Sequence, residues 1–231
     1  MIELKNVTKK YGKQFALKDA SLSLSPGKIY GITGPNGSGK STMLKLIAGL
    51  VYPDSGTVSV GNDPAARSMS KSIAYLTELD MFYEPFRVKD AVYYYESQFA
   101  DFQLDQAFDL LKEMKIDGEQ KIRNLSKGNR GRLKLTLTLA RKAPVVLLDE
   151  PLSGLDPLVR ESIVKSLISY LDLEKQTVLI ATHEINEIEQ ILDEVIVVLN
   201  GRIEDKRNVE ELREEFGVSL LQWFKTFLKD K

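Results

Sequence analysis

The sequence lacks cysteine altogether, holds a single histidine and a single tryptophan, and shows no excess of charge of either sign. Without cysteine the chain can form neither a disulfide framework nor a thiolate metal site. The 32 basic and 33 acidic residues leave a formal net charge of −1. This balance gives no support for non-specific nucleic-acid binding, which draws on an excess of lysine and arginine. We therefore expect no nucleic acid among the partners.

Long apolar runs are also missing. No apolar stretch approaches the ~18 residues that a membrane-spanning helix needs, and residues 1–5 lack the apolar core of a signal peptide. These absences predict a soluble, intracellular chain that meets a membrane only through a partner. A length of 231 residues suits one large domain or one domain with an inserted lobe.

A glycine-rich segment at residues 34–42 fits the pattern G-x-x-x-x-G-K-[ST] of a phosphate-binding loop. In such a loop the backbone N–H groups surround phosphate oxygens, the lysine reaches the β- and γ-phosphates, and the serine hydroxyl can bind Mg²⁺. A predicted buried strand at 28–33 precedes the loop, and a predicted helix at 41–50 points its N-terminus at the anion. The predicted nucleotide-phosphate site comprises Gly34, Pro35, Asn36, Gly37, Ser38, Gly39, Lys40, Ser41 and Thr42.

The periodicity of the amino-terminal half changes once. Alternating apolar positions predict antiparallel strands at 2–9 and 15–24, joined by a turn that exposes Tyr11. Short strands are predicted at 57–60 and 72–76. From about residue 80 to 121 the sequence is aromatic-rich and helical in period, which predicts an inserted helical lobe. We place that helical subdomain at 79–142, the core with its antiparallel β subdomain at 1–78 and 143–207, and a helical tail at 208–231.

The carboxyl-terminal half alternates strands and helices. Apolar runs at 145–148 and 177–181 are typical of buried parallel strands, and helices are predicted at 130–141, from the cap Asp156 to about 173, and from 184. The dipeptide at 200–201 predicts a hairpin. The tail from 217 to 231 has one apolar helical face, which favours a helix docked on its own domain over a partner-binding helix.

Two acidic residues and the lone histidine follow these buried strands. Asp149 comes first and can hold Mg²⁺ beside a phosphate loop, while Glu150 can orient or deprotonate an attacking water. Acidic residues that end a strand are often only caps, but their combination with Lys40 and Ser41 favours a functional role. His183 follows the strand at 177–181. Taken alone, it is as compatible with an ordinary surface or core histidine as with a functional one.

With these motifs in this order, the chain resembles the nucleotide-binding subunit of an ATP-binding cassette (ABC) transporter from residue 1 to about 207. Residues 34–42 are similar to the Walker A loop, and 145–150 to Walker B with its catalytic glutamate. Residues 153–156 resemble the D-loop with Asp156, and His183 the switch histidine. Tyr11 stands where that family stacks an aromatic ring on adenine. The resemblance implies an α/β fold: a P-loop NTPase core with a mixed sheet, an N-terminal antiparallel β subdomain and an inserted α-helical subdomain.

The resemblance also implies an activity. It implies an ATP-binding and ATP-hydrolysing subunit that powers a separate integral membrane permease by ATP-driven dimer closure, at the cytoplasmic face of the cell membrane. Glu150 and His183 would be catalytic, ATP and Mg²⁺ the cofactors, and a second ABC ATPase subunit the partner, in a homo- or heterodimer. The alternative is a non-transport ABC ATPase that clamps a soluble assembly. An unrelated phosphate-loop kinase lacks support because of the signature sequence described next.

Two motifs depart from the family pattern. The signature is usually Leu-Ser-Gly-Gly-Gln and here reads Leu-Ser-Lys-Gly-Asn. By the resemblance, Ser126, Gly128 and Asn129 would receive the partner's ATP. Lys127 either meets that ATP or points to solvent, and the second interpretation is favoured. Glu78 stands where the family places a glutamine that binds Mg²⁺. A glutamate can bind the metal but adds negative charge beside a triphosphate, which predicts slower hydrolysis or a paired subunit of different sequence.

Overall fold

A computed structural model describes residues 1–79 and 82–229 of the chain.

The amino-terminal sheet is antiparallel throughout and has the strand order β2-β1-β4-β5. The strands are β1 (Ile2–Tyr11), β2 (Gln14–Leu24), β4 (Ser55–Val60) and β5 (Asp63–Pro64). The predicted antiparallel strands are confirmed, and Tyr11 ends β1 with half of its surface exposed, as the turn predicted.

The second sheet is mixed and has the order β10-β9-β3-β8-β7-β6. Its strands are β3 (Ile29–Thr33), β6 (Ile73–Leu76), β7 (Val145–Asp149), β8 (Thr177–Ala181), β9 (Glu194–Leu199) and β10 (Arg202–Asn208). All neighbours pair in parallel except β9 and β10. Every residue of β3, β7 and β8 is buried, as expected of parallel strands covered on both faces. The carboxyl ends of β3, β6, β7 and β8 therefore lie along one edge.

The β9–β10 hairpin reaches back to the phosphate loop. Asn200 and Gly201 have φ of 50° and 77°, as a two-residue hairpin turn of this kind requires. The Gly201 N–H donates to the Ser38 carbonyl at 2.9 Å, and the Gly201 carbonyl accepts from the Lys18 N–H at 2.8 Å. The hairpin tip thus joins the loop to β2.

Helices cover both faces of the mixed sheet and fill the segment between β6 and β7. The helices are α1 (Lys40–Ile47), α2 (Val88–Gln98), α3 (Leu104–Glu113), α4 (Lys127–Leu139), α5 (Pro157–Tyr170), α6 (Ile185–Ile188), α7 (Val209–Phe216) and α8 (Leu220–Lys229). Short 3₁₀ helices lie at Arg67–Lys71, Ile122–Asn124 and Glu189–Ile191. In the part of the chain that the structure describes, no helix is both long and apolar enough to cross a membrane.

Several helix boundaries differ from the prediction. Helix α4 begins at Lys127 rather than at residue 130, because the Ser126 hydroxyl accepts the Asn129 N–H at 3.2 Å and starts the helix earlier. Helix α1 ends at Ile47 rather than at residue 50, because Gly49 takes a φ of 66° and ends the helix there. Helix α5 stops at Tyr170, and the helix predicted from 184 is a single turn, α6, followed by a 3₁₀ turn.

The carboxyl-terminal helix packs on the rest of the chain. Leu220 and Trp223 are buried, and the neighbouring apolar side chains pack against the main core. The docked interpretation is therefore confirmed for this face, although Leu228, at the end of the predicted stripe, is 38% exposed. The predicted tail runs to residue 231, and its last two residues lie outside the described ones.

A buried arginine links the segment between β6 and β7 to the sheet. Arg141 is 4% exposed and makes two hydrogen bonds of 3.0 Å to the Asp101 carboxylate. It also donates to the carbonyls of Ser70, Lys71 and Ile73 at 2.9–3.2 Å. Sequence reasoning missed this residue. One guanidinium thus satisfies a carboxylate and three backbone acceptors at once.

We expect Arg141→Met to destabilise the protein by about 3–5 kcal/mol, because it leaves the Asp101 carboxylate and three carbonyls without their donor. Urea unfolding followed by circular dichroism measures the loss. Arg207→Met is the matched control, since Arg207 is 46% exposed and its pair with Asp205 is worth less than about 1 kcal/mol. A loss for Arg141→Met as small as that of the control would contradict the role given to Arg141.

Candidate active site

A cleft opens where the parallel strands end. It has a volume of about 540 Å³ and lies against the loops that follow β3, β6, β7 and β8. Residues from all four loops line it, together with side chains from the β1–β2 turn. Its lining includes Tyr11, Phe15, Lys40, Glu78, Glu150 and His183. Open sheets of this type bind ligands at the carboxyl ends of their strands.

The phosphate loop is held by close contacts between backbones. Gly34 and Gly39 have φ of 156° and 113°, conformations that favour glycine. A Cβ on Gly34 would lie 2.0 Å from the Val198 carbonyl oxygen, and one on Gly39 would lie 2.2 Å from that of Ala16. Glycine is therefore required at both positions, which fixes the loop between β9 and β2.

Lys40 folds over this loop. Its side chain is buried, and Nζ donates to the carbonyl oxygens of Gly34 at 2.8 Å and Pro35 at 3.2 Å. Burial lowers the pKa of the Lys40 ammonium, and the charges of Glu150, Asp149 and Glu78 oppose that shift. Phosphate oxygens would supply the close negative charge that this desolvated ammonium lacks.

Asp149 ends β7 as a buried carboxylate with two neutral donors. Its Oδ1 accepts from the Ser41 hydroxyl at 2.9 Å, and its Oδ2 accepts from the Tyr75 hydroxyl at 3.2 Å. Burial raises the pKa of Asp149, an effect that the Ser41 hydrogen bond partly offsets and the charge of Glu78 increases. Burial and the Asp149 charge in turn raise the pKa of Tyr75. Sequence reasoning missed Tyr75, whose only signal was its place on β6 beside β7.

Glu150 and His183 form a direct pair. The His183 Nδ1 lies 3.0 Å and 2.9 Å from the two carboxylate oxygens of Glu150. Because a carboxylate only accepts, Nδ1 carries the proton in this contact. Glu150 has a φ of 49° and its N–H donates to the Ala181 carbonyl at 2.8 Å, so its backbone is held in a left-handed conformation beside β8. That backbone conformation is costly and is typical of functional positions.

The signature residues stand apart from this cleft. Among the described residues that line it, Ser126, Gly128 and Asn129 do not occur. Ser126 caps α4, and Lys127 is exposed in the single copy beside a second cleft that Glu78 and Glu150 also line, an exposure that both interpretations of Lys127 allow. Within one copy, the signature loop therefore does not enclose the phosphate loop.

Asp156 and Glu78 have further contacts of their own. Asp156 caps α5 as predicted, with its Oδ1 accepting from the Val159 N–H at 3.1 Å. Glu78 lines the cleft, and its carbonyl and that of Thr77 accept from the Lys134 ammonium at 3.2 Å and 2.9 Å. Helix α4 therefore holds the backbone of the loop that carries Glu78.

The site offers hard oxygen ligands without a preformed metal cage. In residues 1–79 and 82–229, no three His, Cys, Asp or Glu side chains converge as a metal-binding group. The Ser41 hydroxyl and the Asp149 carboxylate do lie together, 2.9 Å apart. Mg²⁺ is commonly bound by one or two carboxylates plus substrate phosphates. These two residues fit that mode, and a cation would relieve the buried charge of Asp149.

Comparison with known proteins identifies the family. A profile described as "ABC transporter" matches residues 17–153. The chain is 34% identical to the Nod factor export ATP-binding protein I of Burkholderia orbicola (strain AU 1054), over 87% of this chain and 68% of that protein. This chain belongs to the ABC transporter family. It is also 29% identical to the ABC transporter ATP-binding protein YtrB of Bacillus subtilis (strain 168), over 94% of this chain and 75% of that protein.

A solved structure supports the same conclusion. The dimeric structure of an ATP-binding cassette in a post-hydrolysis state, bound to ADP and Pi, has a TM-score of 0.80 and 27% identity, covering 90% of this chain and 99% of that one. The predicted P-loop NTPase fold is confirmed. The chain is an ATP-binding ABC ATPase of a transporter, and the soluble-clamp alternative finds no support. In general terms, a dimer and a membrane partner are supported as well.

The buried carboxylate of Asp149 should lower the stability of the nucleotide-free protein at neutral pH. The pKa of Asp149 is raised in the folded state. Its ionisation therefore begins to cost stability when the pH exceeds the ordinary aspartate pKa, and the cost is complete once the pH exceeds the pKa of the folded state. We expect Asp149→Asn to raise the melting temperature at pH 7 by about 2–4 °C for each kcal/mol of relieved cost. The gain should vanish at a pH below the ordinary aspartate value.

Thermal unfolding of both proteins across this pH range, without nucleotide, checks the expectation. Asp109→Asn is the control, since the Asp109 side chain is 61% exposed. An unchanged or lower melting temperature for Asp149→Asn at pH 7 would show that burial of Asp149 costs nothing in this protein.

Proposed function

We propose that this subunit hydrolyses ATP at the cleft of the phosphate loop, with Glu150 as general base and His183 as the switch that holds it. The observation that carries the proposal is the pair itself. The His183 Nδ1 lies within 3.0 Å of both carboxylate oxygens of Glu150, and both residues line the same cleft as Lys40. A general base must be held where it can take a proton from the attacking water.

ATP would lie across this cleft with its phosphates on the loop. The loop N–H groups and the N-terminus of α1 would receive the phosphate oxygens, and Lys40 would neutralise their charge. Tyr11 lines the same cleft and is half-exposed, so a flat base could stack on its ring. The proposed ATP-binding set is Tyr11, Gly34, Pro35, Asn36, Gly37, Ser38, Gly39, Lys40, Ser41 and Thr42.

Mg²⁺ is the metal that the residues fit. Ser41 and Asp149 would hold it, and Glu78, which lines the same cleft, is a further candidate ligand. When bound, the ion would neutralise phosphate charge that develops during hydrolysis. Glu78 adds a third carboxylate near Asp149 and Glu150, and its charge already raises the pKa of Asp149.

A second subunit would complete the site. The signature residues Ser126, Gly128 and Asn129 are not among the described residues that line the cleft of their own copy, yet they form the N-terminus of α4, which suits an anion. They would therefore serve the ATP of the partner, with Asp156 in the loop between the two sites. The unusual Lys127 and Glu78 are consistent with slow turnover or with a partner subunit of different sequence.

The integral membrane permease would dock on the segment at 79–142, which we propose as the helical subdomain. Tyr75, Phe82, Phe86 and Tyr95 are among the aromatic residues lining a groove of about 530 Å³ between the end of β6 and the helices α2 and α4. This groove adjoins the loop of Glu78. Residues 1–78 and 143–207 would form the ATPase core and 208–231 its tail. Through the permease the subunit would work at the cytoplasmic face of the cell membrane.

Glu150→Gln should bind ATP normally and lose hydrolysis by about 10²–10⁴-fold, because the amide cannot take a proton from water. Steady-state phosphate release and equilibrium binding of a labelled ATP analogue measure the two effects separately. Glu161→Gln, an exposed residue of α5 paired with Lys165, is the control and should keep the wild-type rate. Hydrolysis by Glu150→Gln at that rate would refute the assignment of the base.

Lys40→Ala should abolish the binding of labelled ATP at concentrations that saturate the wild type, since it removes the ammonium that meets the phosphates. Lys45→Ala, which changes a lysine five residues further along α1, should bind normally. Fluorescence titration with a labelled analogue compares the three proteins. Equal affinity in Lys40→Ala and the wild type would mean that the phosphates bind elsewhere.

A further inference from the structure

Arg160, in the first turn of α5, ties together two turns that flank the Glu150–His183 pair. Its Nε donates to the Leu155 carbonyl at 2.8 Å, directly before Asp156. Its Nη1 donates to the carboxylates of Glu184 at 2.7 Å and Glu187 at 2.5 Å. One guanidinium therefore fixes the turn before α5 against the turn that follows His183.

The two acids depend on this arginine. Glu184 and Glu187 are each only about a quarter exposed. The second carboxylate oxygen of each is buried and has no hydrogen-bond partner among the described residues. Two carboxylates this close repel each other unless a cation lies between them. Removing the guanidinium would push Glu184 away from its present place.

The backbone around His183 is anchored on both sides. On one side, the Thr182 N–H donates to the Ile32 carbonyl at 3.1 Å, which holds it to β3. On the other side, Arg160 holds Glu184. The imidazole itself is 48% exposed, and its hydrogen bonds to Glu150 are the contacts that the site uses. The ring position therefore depends on this anchored backbone and on the hydrogen bonds to Glu150.

We propose that Arg160 is a positioning residue for hydrolysis, which holds His183 on Glu150 and keeps the turn at Leu155 in register with it. The proposal rests on the proposed roles of Glu150 and His183. A displacement near 1 Å in such a constellation can cost on the order of 10²-fold in rate. ATP binding is unaffected, because Arg160 does not line the cleft of the phosphate loop.

A purely structural role makes a different prediction. A partly exposed ion pair contributes stability, and its loss lowers the melting temperature without changing the turnover of molecules that remain folded. Turnover measured well below the melting temperature therefore separates positioning from stability. So does the dependence on His183, since only a residue acting through His183 loses its effect when the imidazole is absent.

The test compares Arg160→Met with Arg213→Met in the full chain. Arg213 forms a similar arginine–glutamate pair with Glu189, neither residue lines the cleft, and the loss of this pair should leave kcat unchanged. Arg160→Met should lower kcat by about 10- to 100-fold while the KM for ATP and the affinity for a labelled analogue stay within a factor of about three. Arg160→Lys should recover part of the rate, because an ammonium still separates the two acids.

A double-mutant cycle with His183→Ala supplies the second readout. If Arg160 acts through His183, the double variant should hydrolyse ATP within about twofold of His183→Ala alone, because interacting residues are not additive. Losses that multiply, or a kcat for Arg160→Met equal to that of Arg213→Met, overturn the proposal. A fully active Glu150→Gln would instead refute the proposed function, so the two failures are distinct.

If Arg160→Met does not bind the labelled analogue, a second variant carries the same test. Glu184→Met combined with Glu187→Met removes both acceptors of the Arg160 Nη1 and leaves no repelling pair, while the bond from Nε to the Leu155 carbonyl stays, so it should fold. We expect its kcat to fall with its KM kept, as for Arg160→Met. A wild-type kcat for this variant overturns the proposal.

Discussion

Parallel pairing of three buried strands is the constraint on which the rest of the structure depends. Ala181 of β8 lies in register with Ile32 of β3 on one side and with Asp149 of β7 on the other. Neighbouring strands are only about 4.8 Å apart, so the residues that follow these positions emerge side by side. The phosphate loop, Glu150 and His183 are far apart in sequence, and this register alone brings them to one edge.

Charged side chains meet at that edge, and the protein alone does not balance their charges. A buried ammonium at Lys40 faces three carboxylates, those of Glu78, Asp149 and Glu150. Burial lowers the pKa of Lys40 and raises that of Asp149, so the ionised form of each group is held in unfavourable surroundings. The left-handed backbone of Glu150 adds to this cost. Stability is thus given up at the residues to which we assign the chemistry in our proposal, as is common at active sites.

The sequence predicted the fold and the candidate site best where a feature is encoded in a short segment of the chain. The phosphate loop, the apolar runs of β7 and β8, and the hairpin at 200–201 were predictable because each depends on neighbours in the chain. The boundaries of α1 and α4 were less so, because a single cap or glycine moves them by a turn. Tyr75, Arg141 and Arg160 could not be found from the sequence. The carboxylate partners of each residue lie at least 24 positions away in the chain, and no local pattern marks such partners.

The hairpin between β9 and β10 has a consequence for the order in which the protein becomes active. Its tip bonds to Ser38 and Lys18, so the phosphate loop rests on a segment made more than 150 residues later. A ribosome that has released only the Walker A region has therefore produced a loop without its support. Nucleotide affinity should therefore emerge late in synthesis, once the hairpin has left the exit tunnel.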